Sequence, residues 1–162
     1  MLSIPDLCGD FLKVIFLDFD GVLNSAKYLL GCGDFGMAID PTRMVLLRRI
    51  VDATGAKIVL STSWREHWSK NMGECDSTGA HINDIFDEYG LQVFDKTPEL
   101  RVKRETEIKS WLDKNPEAKS FVVLDDRLLS ADYLNGHFIK TSNYFDGLDE
   151  TDVQKAIDIL NG

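Results

Sequence analysis

Basic residues are in short supply in this chain. Among 162 residues, 18 are Lys or Arg and 27 are Asp or Glu, a formal charge of −9. That balance works against a nonspecific grip on nucleic acid, which needs basic patches to neutralise phosphates, although a local basic cleft stays compatible with it. Cysteines number three, Cys8, Cys32 and Cys75, widely spaced and in no CxxC pair. A disulfide framework is therefore not expected, and a reducing, cytoplasmic compartment is. No apolar stretch approaches the ~20 residues that a bilayer requires. The N-terminal residues show no basic region followed by a long apolar run, so neither a signal peptide nor a membrane partner is expected. The chain has no GxxxxGK[ST] loop and no Cys followed six positions later by Arg. Those absences leave P-loop nucleotide chemistry and cysteine-based phosphatase chemistry without support.

What is present reads as one globular domain spanning residues 1–162, with 1–12 as an N-terminal extension; the composition is 44% hydrophobic and 28% charged. Apolar runs at 13–19, 56–62, 91–94, 120–126 and 137–141 are continuous rather than alternating, as strands buried on both faces of a parallel sheet require. Between them lie helical segments. Residues 40–55 carry Val45, Leu46 and Ile50 against Arg48 and Arg49, with Pro41 at the start and Gly55 as a stop. Residues 81–90 end on Gly90, 104–116 bury Ile108, Trp111 and Leu112, and 148–162 place Val153, Ala156, Ile157 and Leu160 on one face. Strands alternating with helices give a single Rossmann-like α/β fold, a doubly wound parallel sheet flanked by helices.

In such sheets ligands bind beyond the carboxyl ends of the strands. The first strand ends in Asp18-Phe19-Asp20-Gly21, the second in Ser61-Thr62-Ser63 and the fourth in Asp125-Asp126-Arg127. Asp18 and Asp20 face the same way along a strand, and Gly21 allows a sharp turn. Carboxylates crowded where solvation is poor need a cation, and an oxygen-rich site suits Mg²⁺. One carboxylate could then attack phosphorus while the ion offsets repulsion between two anions, with Asp20 protonating the leaving oxygen and later activating water.

These residues resemble a known family. "DFDGVLN", "IVLSTSWRE" and "VVLDDR" look like motifs I, II and IV of the haloacid dehalogenase superfamily, in order and in strand context, over Val14 to Leu160. "STSWRE", "RETEIKSWL" and "GLDETDV" look most like its small capless phosphatase-like domains, some of which occur in RNA-repair proteins. The resemblance implies an aspartyl-phosphate formed on Asp18 and general acid/base work by Asp20, which lends its backbone carbonyl to the metal. It implies that Ser61 hydrogen-bonds the phosphoryl group and that Asp125 and Asp126 hold Mg²⁺, with Asp126 favoured as the direct ligand. Motif III is a lone cation with no fixed spacing, and Lys96, Arg101, Lys103, Arg104 and Lys109 are the candidates. A helix feeding the fourth strand starts near the active edge, which favours Lys103 and Arg104 over Lys109 and leaves the choice between the two open. We assign Gly21, Asn24, Thr62 and Arg65 to substrate contact.

Blander roles compete at several positions. Ser61 to Ser63 could cap the following helix. Arg65 could join the phosphate site or pair with a neighbouring acid. Trp64, Trp68 and Trp111 read as packing. The GxGxxG match at 31–36 lacks a strand before it and a helix opening at its end, so it reads as a flexible loop. Cys32, Cys75, His67 and His81 lack zinc-ligand spacing.

The gaps between motifs leave no room for a large cap domain. An open site suits a phosphate at the end of something large, with the loop 24–41, carrying Lys27, Tyr28 and Phe35, as a flap that touches substrate. The expected activity is that of a Mg²⁺-dependent phosphomonoesterase. The acidic balance tilts the expected partner toward a phosphoprotein or soluble metabolite over a nucleic-acid end. A non-catalytic phosphate-recognition module is the alternative from another class.

Overall fold

A computed structural model of the chain describes residues 11–33 and 38–162. Its strands β1 (Leu12–Leu17), β2 (Lys57–Leu60), β3 (Val93–Lys96), β4 (Ala118–Asp125) and β5 (Phe138–Lys140) form one sheet in the order β3-β2-β1-β4-β5. Every neighbouring pair is parallel. The helices are α1 (Ala26–Cys32), α2 (Pro41–Thr54), α3 (Ser77–Glu88), α4 (Arg104–Lys114) and α5 (Glu150–Asn161). The chain is thus the Rossmann-like α/β sandwich that the apolar runs imply. No described helix is long and apolar enough to cross a membrane.

The continuous run in β1 has a direct cause. Val14, Ile15, Phe16 and Leu17 are all 0% exposed, because both faces of the sheet are covered. Ile15, Leu17, Ile58, Leu60, Val122 and Leu124 pack with residues of α2, α3 and α5 on one side. Val14, Phe16, Val59, Phe121 and Val123 pack with Ile108 and Trp111 of α4 on the other. Alternate side chains of one strand therefore serve two cores, and neither face can carry a polar residue. Phe16 meets the edges of Trp111 and Phe121 at centroid distances of 5.4 and 6.0 Å.

Local chemistry sets the helix ends. Asp40 accepts from the Thr42 amide at 2.9 Å, Pro41 fills the first turn, and Gly55 (φ 70°) closes α2. Asp149 and Asp152 form a capping box at the start of α5.

Several sequence boundaries shift. The third strand covers 93–96 rather than 91–94, with Leu91 buried just before it. α3 begins four residues before His81, because Asp76 accepts from the Thr78 and Gly79 amides. Val45 is exposed; α2 buries Met44, Leu46, Leu47 and Ile50 instead. The segment 24–41 contains α1, capped by Ser25 and with no buried residue. Gly31 and Cys32 of the GxGxxG match close that helix, and Gly33 (φ 67°) caps it. Phe35, Gly36, Cys8 and residues 1–10 of the extension lie outside the described residues. Among the described residues no cap domain interrupts the connections after Asn24 or after Ser63.

Phe16 is the measure of the smaller core. Phe16→Ala is expected to cost about 3–5 kcal/mol in urea unfolding, the range for truncating a buried phenylalanine. A loss under about 1 kcal/mol would contradict this packing.

Candidate active site

Three parallel strands deliver the polar residues to one edge. The Asp18 amide donates to the Leu124 carbonyl at 3.0 Å and the Ser61 amide to the Leu17 carbonyl at 3.0 Å, so the ladders run to the last strand residue. Asp18, Ser61 and Asp125 are thereby fixed side by side, with exposures of 4%, 0% and 0%. One carboxylate oxygen from each of Asp18, Asp125 and Asp126 lies within 4.8 Å of the others.

Arg104, in the first turn of α4, settles between two of them. Its Nη1 donates to Asp18 Oδ2 at 2.7 Å and to Asp125 Oδ2 at 2.5 Å. Lys103, one residue earlier, is exposed and occupies the helix N-cap position without a side-chain cap bond. Of the two adjacent cations, Arg104 is the one the fold brings to the carboxylates. The remaining oxygens are occupied unevenly. Asp18 Oδ1 accepts from the Phe19 amide at 2.9 Å and Asp125 Oδ1 from the Arg127 amide at 2.9 Å. Asp126 has no hydrogen bond or ion pair among the described residues.

Gly21 permits this gathering in two ways. Its φ of 78° suits a residue without a side chain, and a Cβ there would stand 2.6 Å from Asp126 Cβ and Oδ2. The Gly21 carbonyl accepts from Thr141 Oγ1 at 2.6 Å. Asn24, 1% exposed, knits the turn: Oδ1 accepts from the Gly21 amide at 3.1 Å, and Nδ2 donates to Asp20 Oδ1 and the Ala38 carbonyl, each at 3.1 Å.

Asp20 is exposed, and its side chain is not one of the clustered trio. Its second oxygen, Oδ2, accepts from Trp64 Nε1 at 3.0 Å. Trp64 is 8% exposed and packs edge-on against Phe19 at 5.2 Å. The sequence reading as packing is therefore half of its role; an indole carries one polar handle, and here that handle holds a candidate catalytic carboxylate.

The other assigned residues sit close by with different tasks. Thr62 is fully buried and accepts from the Trp64 amide at 3.3 Å, capping the turn Ser63–His67. Arg65 pairs with Glu107 of α4 at 2.6 Å, with side-chain exposures of 9% and 6%. It also donates to the carbonyls of Thr62, Thr97 and Pro98 at 2.9, 3.3 and 3.4 Å. The guanidinium thus ties the end of β2 to α4 and to the loop that leads into it. Glu107 gives no sign in sequence, since an acid in a helix normally faces water. Ser61 Oγ contrasts with all of these. It is the one buried side-chain oxygen without a hydrogen-bond partner among the described residues. Buried hydroxyls are rarely left so, and an acceptor arriving from outside would satisfy it.

The donor set fits a small divalent cation: three hard carboxylate oxygens converge, and among the described residues one positive side chain, Arg104, pairs with them.

A comparison with protein families finds a match over residues 14–153, to the HAD domain in Swiss Army Knife RNA repair proteins. The chain belongs to this family. Comparison with curated proteins and with solved structures finds no significant match.

Burial raises Asp18 to about 7 despite the opposing pull of Arg104, with the Asp125 charge adding to the rise. Arg104 is penalised by burial, yet Asp18 and Asp125 hold it charged more firmly than an ordinary arginine. The consequence for stability follows from linkage. Unfolded Asp18 ionises near 3.8 and folded Asp18 near 7, so the advantage of the folded state is complete below pH 3.8 and is lost as pH rises through about 7. In EDTA at pH 8, Asp18→Asn is therefore expected to be more stable than the parent by roughly 1–4 kcal/mol, with the gap closing toward pH 4. Urea melts showing the same gap at both pH values would contradict the burial of this charge.

Proposed function

We propose that the protein is a Mg²⁺-dependent phosphomonoester hydrolase working through a phosphoryl-enzyme on Asp18. The observation that carries the reading is Arg104 bridging Asp18 and Asp125 beside an unpartnered, buried Ser61 Oγ. Membership of the HAD family agrees with it. A bound Mg²⁺ would be held by Asp18 and Asp126 with Asp125 behind them, and would offset charge between the carboxylate and the substrate phosphate. Asp126 is the freer ligand, because both Asp125 oxygens already accept hydrogen bonds from Arg104 and the Arg127 amide.

The chain's own residues then divide the work. Asp18 attacks phosphorus; a bond forms from its carboxylate oxygen as the ester P–O bond breaks. Asp20 gives its proton to the leaving oxygen. Arg104 holds the attacking carboxylate and offsets charge on the phosphoryl oxygens, while the Ser61 hydroxyl donates to one of them. Water next attacks phosphorus, passing a proton to Asp20; the bond to Asp18 breaks, and inorganic phosphate leaves. Trp64 and Asn24 orient Asp20 for both proton transfers. No cap domain interrupts the described connections after Asn24 or after Ser63, which suits a phosphate at the end of a large molecule. The total charge favours a phosphoprotein, but the family's description as a domain of RNA repair proteins outweighs so coarse a quantity, and a phosphorylated nucleic-acid end is the preferred substrate.

Asp18→Asn is expected to abolish Mg²⁺-dependent release of phosphate from p-nitrophenyl phosphate while the circular dichroism spectrum stays that of the parent. Undiminished turnover in that variant would overturn the reading. Trp64→Phe keeps the ring against Phe19 and removes the donor to Asp20. It is expected to lower kcat about tenfold or more with KM changed less than about twofold, since a misaimed proton donor affects the chemical step. Equal losses in kcat and thermal stability would instead assign Trp64 to packing alone.

A further inference from the structure

Beside Arg104, between the loop that follows β3 and the turn that follows β4, lies a cavity of about 220 Å³ lined by Ser63, Glu66, Arg101, Arg104 and Arg127. It is smaller than the roughly 300–1,000 Å³ of pockets that enclose a whole small ligand, and is sized for a single group. Two acids also border it, but both are already neutralised: Glu107 by Arg65 at 2.6 Å and Glu99 by Lys96 at 2.9 Å. The guanidinium groups of Arg101 and Arg127 are different. Neither has a hydrogen-bond or ion-pair partner among the described residues, both are exposed, and exposed Lys103 stands two residues from Arg101. Glu66 is the only unpaired acid on the wall.

A surplus of free arginine next to a third arginine is unexpected in a chain of charge −9. The backbone adds a second sign. Arg101 has φ 56°, the only left-handed residue other than glycine among those described. Such a conformation survives where its surroundings fix it. Here the Leu100 amide donates to Glu107 Oε1 at 2.9 Å, and Arg65 grips the carbonyls of Thr97 and Pro98. The loop is thus anchored through the buried Arg65–Glu107 pair, which forms part of the cavity wall, and Arg101 stands on the same wall with its guanidinium unpaired.

Rigid guanidinium forks match phosphate oxygens in pairs, and a shared wall with Arg104 places this cavity next to the reacting phosphoryl group. We propose that Arg101 and Arg127 form a subsite for a second phosphate of the substrate, the phosphodiester adjoining the phosphorylated end of an oligonucleotide. This rests on the phosphohydrolase reading above and names the feature that distinguishes its substrate from a small phosphomonoester.

The test compares kcat/KM for a short oligonucleotide bearing a terminal phosphate with that for p-nitrophenyl phosphate. The parent is expected to favour the oligonucleotide at least tenfold, through KM. That preference should vanish in the Arg101→Gln/Arg127→Gln double variant, and equally when the adjoining linkage is an uncharged methylphosphonate. A preference that survives the double variant, or one matched by a phosphopeptide rich in acidic residues, would overturn the subsite. If neither substrate releases phosphate, the hydrolase reading fails by itself. Fluorescence anisotropy with the same oligonucleotide then decides the subsite: weaker binding by the double variant than by the parent supports it, and equal binding rejects it.

Discussion

Everything at the carboxyl edge of this sheet depends on how three buried or half-buried carboxylates are tolerated within a few ångströms of one another. Water solvates them poorly there, and burial, with the Asp125 charge adding to it and Arg104 opposing, moves Asp18 to about 7. One arginine is the protein's own answer, placed between Asp18 and Asp125 by the first turn of α4. A single cation facing three acids leaves a deficit of positive charge. That deficit is what the proposed metal ion would make good, allowing an anionic phosphate to come close to the Asp18 carboxylate.

The surroundings are arranged so that this cluster cannot relax by moving apart. Parallel ladders carry β1, β2 and β4 to their last residues, and Gly21 lets Asp126 approach where any side chain would collide. Behind Arg104, the buried Arg65–Glu107 pair fastens α4 to the end of β2. Removing one partner of such a pair typically costs about 3–5 kcal/mol, since the other is left charged and dry. The same connection steadies the loop that bears Arg101, so Arg104 and Arg101 share one anchor.

Much of this was legible in the sequence, for reasons that differ by residue. The two-sided burial of the sheet forces uninterrupted apolar runs, so the strands of Val14–Leu17 and Phe121–Leu124 announce themselves along with the acids that follow them. Position relative to a helix start narrows the cation to Lys103 or Arg104, but one step along the chain separates an exposed side chain from a buried one, and packing of α4 against the sheet decides it. Arg65 and Thr62 carry the right chemistry for phosphate contact, but the partners they meet in the fold, Glu107 and the Trp64 amide, could not be read from the sequence. Trp64 was hidden for the opposite reason: an indole is mostly apolar surface, so its single N–H bond to Asp20 leaves no trace in composition or periodicity. α1 escaped notice because none of its residues is buried, and without a buried face there is no amphipathic pattern to see.

The central claim is most directly tested by locating the ion. Crystals of the protein soaked in Mn²⁺ and examined by anomalous diffraction are expected to show one peak between Asp18, Asp125 and Asp126, roughly 2.1 Å from the nearest oxygens of Asp18 and Asp126. A peak elsewhere, or none at saturating Mn²⁺ with Arg104 still the sole cation among the three acids, would contradict the account.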